Sequence, residues 1–335
     1  RIQNLTLKNA GNTIWCKSSS IYGTISDDDS GNAEVYVSED GGASWSQNCY
    51  GNGSWQYDFL SDGEKTLMFK VKDGAGTTFT SQENKSLTAV KVIDSFANEF
   101  GTAGSPSTAF TIKVDTQDPK MSDVYYNLIP TTKDSSDVPS GINNGVADMT
   151  VWSTSFADKI FGGTENAVWF MFGGDDANGI ADGKLFCTTV GSKVKISDSP
   201  KVINSGTSKT FYKYKVDISD VSDSLLTFRT EITDNSGLTS SKSFTIDIDN
   251  AAPIVEIRSH NSGGKVYGTE SNTVKGITTD SDKVAKLEYA LTKTTAKPSS
   301  GYTEIKDNGG FFRWGIIFYG VLDGRGAGWE RGVIM

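Results

Sequence analysis

One run of residues recurs along this chain and limits what the chain can fold into. Val114-Asp115-Thr116-Gln117-Asp118-Pro119 returns as Ile248-Asp249-Asn250-Ala251-Ala252-Pro253, 134 positions later, and each run follows a Phe-Thr-Ile segment. Repetition at such a spacing means one supersecondary unit used in tandem. Three further echoes support it. Residues 67–76 resemble 226–237, residues 23–37 resemble 276–289, and Trp55 to Phe59 resembles Trp314 to Phe318. Proline at the end of each run fixes φ and biases the preceding residue toward extended backbone, so both runs read as links. The expected division is 1–119, 120–252 and 253–335.

The segments between links alternate. Residues 33–38, 66–72, 110–114 and 244–248 place apolar residues at nearly every second position, the mark of half-buried strands. Asp40-Gly41-Gly42, Ser61-Asp62-Gly63, Asp182-Gly183 and Asp234-Asn235-Ser236-Gly237 supply turns between them. The chain therefore reads as all-β. Residues 80–107 have no counterpart in the second copy and read as an insertion or extra hairpin. The second copy opens on an irregular polar stretch, 130–146. Beyond Gly324 alternation stops, so the third copy is expected to be truncated and poorly ordered.

Composition excludes several functions. The 335 residues carry 32 Lys and Arg against 41 Asp and Glu, a net charge of −9, which gives no basic footprint for nucleic acid. His260 is the single histidine, so chemistry built on imidazole near neutrality has little equipment here. No stretch approaches the ~20 apolar residues that cross a bilayer. Residues 1–9 lack the features of a signal peptide, and the chain is expected to be a fragment or a processed form. Of three cysteines, Cys16 and Cys49 are a candidate bridge and Cys187 is left over; three reduced thiols fit equally well.

The motifs in residues 23–27, 36–42, 62–67 and 72–76 and in the Asp-Thr-x-x-Pro link resemble the bacterial immunoglobulin-like repeats of secreted and cell-surface proteins. The resemblance covers the first copy, the C-terminal half of the second, and the third to about Gly324. It implies tandem immunoglobulin-like β-sandwiches, the last one incomplete, acting without catalysis as a spacer or adhesion module outside a bacterial cell. The implied partner is a surface protein or glycan.

Four constellations have a chemical reading. Residues 38–45 fit the Asp-box of sialidase propellers, Ser-x-Asp-x-Gly-x-Ser/Thr-Trp, but one box without an Arg cluster reads as a hairpin in which Asp40 caps turn amides. In the links, Asp115 and Asp118, and Asp247 and Asp249, resemble acidic cadherin-type linkers, where oxygen ligands hold Ca²⁺, a hard cation taking six to eight oxygens. Residues 27–29, all Asp, are candidate additional ligands. Residues 175–183 depart from an EF-hand because the fifth loop position is Ile180 and no Glu follows at the twelfth, so they read as a Gly/Asp-rich turn. Trp152 and Trp169 are candidate sugar-stacking rings, in which case the chain would be the accessory carbohydrate-binding region of a larger enzyme. The simpler reading of Trp169-Phe-Met-Phe172 is a strand buried on both faces.

Overall fold

The computed structural model describes residues 2–3, 6–7, 14–25, 34–50, 53–72, 78–80, 110–130, 132–133, 137–204, 209–258, 273–280, 287–292, 299–300, 302–304, 316–321 and 331–334. Every regular element among them is a strand. In the first copy, Ser20–Ile25 lies between Ile2–Gln3 and Gly53–Asp58 in one sheet. The second sheet runs in the order Thr6–Leu7, Ile14–Cys16, Phe110–Val114, Gly63–Lys72, Glu34–Ser38, Ser46–Tyr50. All pairs are antiparallel except one: Ile14–Cys16 runs parallel to Phe110–Val114. Alternate residues of the two sheets, among them Ile21, Trp55, Val35, Val37, Leu67 and Ile112, meet in a single core.

The second copy repeats the central pairings but differs at one edge, where Lys201–Asn204 joins Lys209–Asp217 while Ser46–Tyr50 of the first copy joins Glu34–Ser38. Glu165–Asp175 pairs with Tyr125–Pro130 and Lys209–Asp217 in one sheet. In the other, Ile180–Cys187, Ser224–Asp234 and Thr239–Ile248 follow one another, and short Ile160–Phe161 runs parallel to the last. Phe170, Phe172, Tyr214, Phe228 and Ile246 fill the space between the sheets.

Glu165–Asp175 is buried on both faces, as its unbroken apolar run predicts. Val168, Phe170 and Phe172 point into the intersheet core. Ala167, Trp169 and Met171 point the other way, into a second core closed by Tyr125, Ala147 and Trp152. The irregular polar stretch supplies the cover: a small hairpin, Ile142–Asn143 with Val146–Ala147, and the segment through Trp152 lie over the outer face of the sheet. Tyr126 N donates to Ser153 O and Ser153 N to Tyr126 O, which bonds the end of this excursion to the edge strand.

In the third copy, Ile254–Ile257, Thr273–Thr279 and Ile316–Val321 form one sheet, and Thr303–Glu304, Glu288–Thr292 and Arg331–Ile334 another. A strand forms beyond Gly324, where alternation in the sequence stops. Arg331–Ile334 pairs antiparallel with Glu288–Thr292, which requires backbone donors and acceptors but no side-chain alternation. Residues 81–109, which hold nearly all of the expected insertion, lie outside the described residues, as do 26–33 with their three Asp, and His260. Cys16 is a free, buried thiol whose Sγ donates to Ser18 O at 3.2 Å, so the candidate bridge to Cys49 is not formed. No helix among the described residues is long and apolar enough to cross a membrane.

Candidate metal centre at the first link

Val114 ends the last strand of the first sandwich, and the chain leaves it with Asp115 N donating to Cys16 O at 2.9 Å. This bond prolongs the parallel pairing by one residue and turns the Asp115 side chain inward. The residue is 2% exposed. Its Oδ1 accepts from Gln117 N at 3.3 Å, while Oδ2 is buried with no hydrogen-bond partner.

Two carboxylates of the next sandwich stand beside it. Asp176 immediately follows Glu165–Asp175, and Asp234 is the last residue of Ser224–Asp234. One ligand oxygen from each of Asp115, Asp176 and Asp234 lies within 4.8 Å of the other two, and all three residues are buried.

Local turn chemistry holds the two loops. Asp176 Oδ1 accepts from Asn178 N at 2.7 Å. Asp234 Oδ1 accepts from Ser236 Oγ at 2.7 Å, Gly237 N at 2.8 Å and Leu238 N at 3.0 Å. Asn235 then stitches loop to loop: its Nδ2 donates to Asn178 O at 2.7 Å and its N to Gly179 O at 3.1 Å. Gly179 makes this approach possible, with φ +85° and a Cβ position 3.1 Å from Asn235 Nδ2.

Burial is the main cause that pushes the Asp115 carboxyl above its ordinary range; the charges of Asp234 and Asp62 add to it, and the Gln117 backbone N–H and the Asn178 side chain oppose it. Asp176 is raised for the same first reason, with Asp115, Asp234 and Asp175 adding. Buried like charges this close disfavour ionisation unless a proton or cation balances them. The ion pairs of the described residues include neither Asp115 nor Asp176.

The second link repeats part of the arrangement. Asp249 N donates to Phe161 O at 2.9 Å, as Asp115 N does to Cys16 O. Asp249 Oδ1 is buried without a hydrogen-bond partner, and the carboxyl is raised by burial first, then by the charge and hydrogen bond of Asp280 and by the charge of Asp223. Asp280 directly follows Thr273–Thr279, as Asp176 follows its own strand.

Of the sequence-predicted link residues, then, Asp115 and Asp249 each meet carboxylates of the following copy. Asp118 and Asp247 are exposed, and neither joins the cluster. Asp176 and Asp234 were missed as partners. Residues 175–183 do form a turn, but that turn also aims Asp176 at the link. The signal available was positional, an acidic residue just past the second long strand of a copy: Asp176 here and Asp280 in the third.

The sugar-stacking expectation for Trp152 and Trp169 is corrected. They are 2% and 4% exposed, in the core beneath the excursion. Trp152 Nε1 donates to Ser140 O at 2.8 Å, and the Lys213 ammonium sits over its ring. A buried ring has no face to offer a sugar. The Asp-box residues form a hairpin: Asp40 takes Ser44 N at 2.9 Å and Ser44 Oγ at 2.6 Å, and Trp45 Nε1 donates to Gly42 O at 3.0 Å.

No protein-family model matches the chain, and no curated protein matches it. Among solved structures, it is similar to a tetra-tandem repeat in the extending region of a large adhesion protein. That match has 14% identity and a TM-score of 0.24 and covers 96% of this chain and 65% of the other. Extracellular cadherin domains 1–5 of protocadherin gamma B2 match at 12% identity and TM-score 0.22 over 90% and 46%. A Bacteroides ovatus glucan-utilisation protein, SGBP-B, solved with a mixed-linkage heptasaccharide, matches at 11% and 0.17 over 92% and 86%. The chain thus spans less than two thirds of the first two. Scores of this size carry no argument about function, which rests below on the geometry.

Proposed function

We propose that the chain is a non-enzymatic spacer and adhesion module of a bacterial protein outside the cell, built from tandem immunoglobulin-like β-sandwiches that meet near residues 119 and 252. One observation carries this reading: the joint is made twice in the same way. At each link the last strand runs on through one more parallel-type bond, Asp115 N to Cys16 O and Asp249 N to Phe161 O. At each, a turn carboxylate of the preceding sandwich grips the link backbone. Asp62 takes Thr116 N at 3.3 Å and Thr116 Oγ1 at 2.9 Å, and Asp223 takes Asn250 N at 2.8 Å. The first and second sandwiches each bury their own core, and the gripped links restrict bending between neighbours.

Loops at the free ends of the sandwiches then meet a surface protein or glycan at a distance from the attachment point. Small-angle scattering on the whole chain tests the spacer. An elongated particle, with forced unfolding in separate steps for separate sandwiches, supports it; a compact particle unfolding in one step overturns it.

A further inference from the structure

We propose that Asp115, Asp176 and Asp234 together bind one calcium ion, which fastens the first link to two loops of the following sandwich. The inference rests on reading residues 115–119 as a link between units, and it adds an occupant and ligands from both sides of the joint.

The geometry fits one ion. Three oxygens within 4.8 Å of one another have a common centre no more than about 2.8 Å from each, so small side-chain adjustments bring all three to the Ca–O distance of ~2.3–2.6 Å around one ion. The chain already engages Oδ1 of each residue, through Gln117 N, Asn178 N and the Ser236–Leu238 turn. Asp115 Oδ2, by contrast, is buried in a residue 2% exposed and has no partner. A carboxylate oxygen withdrawn from water and given no donor is costly, and a cation removes that cost.

The ligand chemistry selects the ion. The cluster holds carboxylates and neither His nor Cys, which suits a hard cation rather than zinc. Ligands from three separate segments at a joint suit the flexible coordination of calcium better than the strict octahedron of magnesium, and water completes the sphere. The loops do not have to be gathered for binding, because the Asn235 bonds already hold Asp176 and Asp234 together. With the ion bound, bending at residues 115–119 must break a metal–oxygen bond. Joint stiffness therefore follows calcium concentration.

Isothermal titration of the chelator-stripped whole chain with CaCl₂ and with MgCl₂, on wild type, Asp115→Asn and Asp118→Asn, tests the site. The expected result is calcium binding in wild type, loss of one site or at least tenfold weaker binding in Asp115→Asn, unchanged binding in Asp118→Asn, and weaker binding of magnesium. No calcium binding by wild type, equal binding by Asp115→Asn, or equally tight magnesium would each overturn the proposal. An unfolding temperature of Asp115→Asn in chelator at or above that of wild type shows that the variant folds. Scattering on the same samples separates the two readings. Calcium bound to a compact particle would sink the spacer and leave the site, whereas an elongated particle without bound calcium would do the reverse.

Discussion

Asp223 Oδ1 accepts hydrogen bonds from both Asn250 N, at 2.8 Å, and Ala251 N, at 2.9 Å, so one carboxylate in the turn before Ser224–Asp234 fixes the second link. Asn250 adds three bonds of its own: Nδ2 to Ile218 O and Val221 O, both 2.8 Å, and Oδ1 from Gly163 N at 3.0 Å. Gly162 lets this turn approach closely, since a Cβ there would stand 2.4 Å from Asp249 O at φ +119°.

Removing the grip releases two amides. Asp223→Ala is expected to cost about 1.5–3 kcal/mol locally, as the loss of hydrogen bonds to a charged acceptor does. At 1.4 kcal/mol per decade, the amides of Asn250 and Ala251 then exchange about tenfold faster or more. Asp223→Asn keeps an acceptor oxygen and retains part of the protection. Exchange read by mass spectrometry decides it, and unchanged protection in Asp223→Ala would mean that the link is held by Asn250 alone.

The second core makes a separate prediction. Trp152 is one of the largest fully buried side chains, and it seals the outer face carrying Trp169 and Met171. Trp152→Ala is expected to destabilise the second sandwich by about 3–5 kcal/mol, the range for deleting a large buried aromatic, and Trp152→Phe by less. Urea unfolding followed through exchange of the Glu165–Asp175 amides measures this without interference from the other sandwiches. A loss under ~1 kcal/mol would show that the excursion covers the sheet without stabilising it.

The sequence revealed the strands and the repeated links because both are local. Alternation in residues 110–114 and 244–248 and proline at 119 and 253 are visible within a few positions. The double-sided burial of residues 169–172 was legible for the same reason. Which residues would cover it was not, because residues 131–152 have no period and their role depends on a sheet they only lie against. The carboxylate cluster was half legible. Asp115 lies in a motif, but Asp176 and Asp234 are brought to it by sandwich topology, and their own surroundings read only as turns. Trp152 invites the sugar-stacking reading because an aromatic in a polar stretch looks exposed until the stretch is seen to be a lid.

The Asp-box hairpin has a pH signature. Asp40 is held well below the ordinary carboxylate range, first by the Ser44 hydroxyl, then by the Ser38 hydroxyl and the Ser44 amide. A depressed folded-state pKa contributes stability that is present above the ordinary value of 3.8 and is lost only as pH falls through the depressed one. The Ser44 amide, bonded to Asp40 Oδ1, should therefore keep its protection at pH 3. In Asp40→Ala it should be unprotected throughout. Amide exchange between pH 3 and 7 is the measurement, and loss of protection near pH 4 in wild type would show an ordinary carboxylate.

The buried cluster has the opposite sign. Asp115 and Asp176 are raised above 3.8, so without a cation the native state binds more protons than the unfolded one at mildly acid pH. That contribution to stability is fully present below 3.8 and is lost as pH rises through the raised folded values. Asp115→Asn fixes one site in a neutral state at every pH. In chelator it should unfold at a higher temperature than wild type at pH 7, and the gap should close as pH falls toward 4. With calcium the order at pH 7 reverses, because wild type gains the ion and the variant does not. Calorimetry of both proteins at the two pH values, with chelator and with calcium, yields the comparison as differences in which other titrating groups cancel. A gap independent of pH would place the Asp115 effect in packing and not in charge.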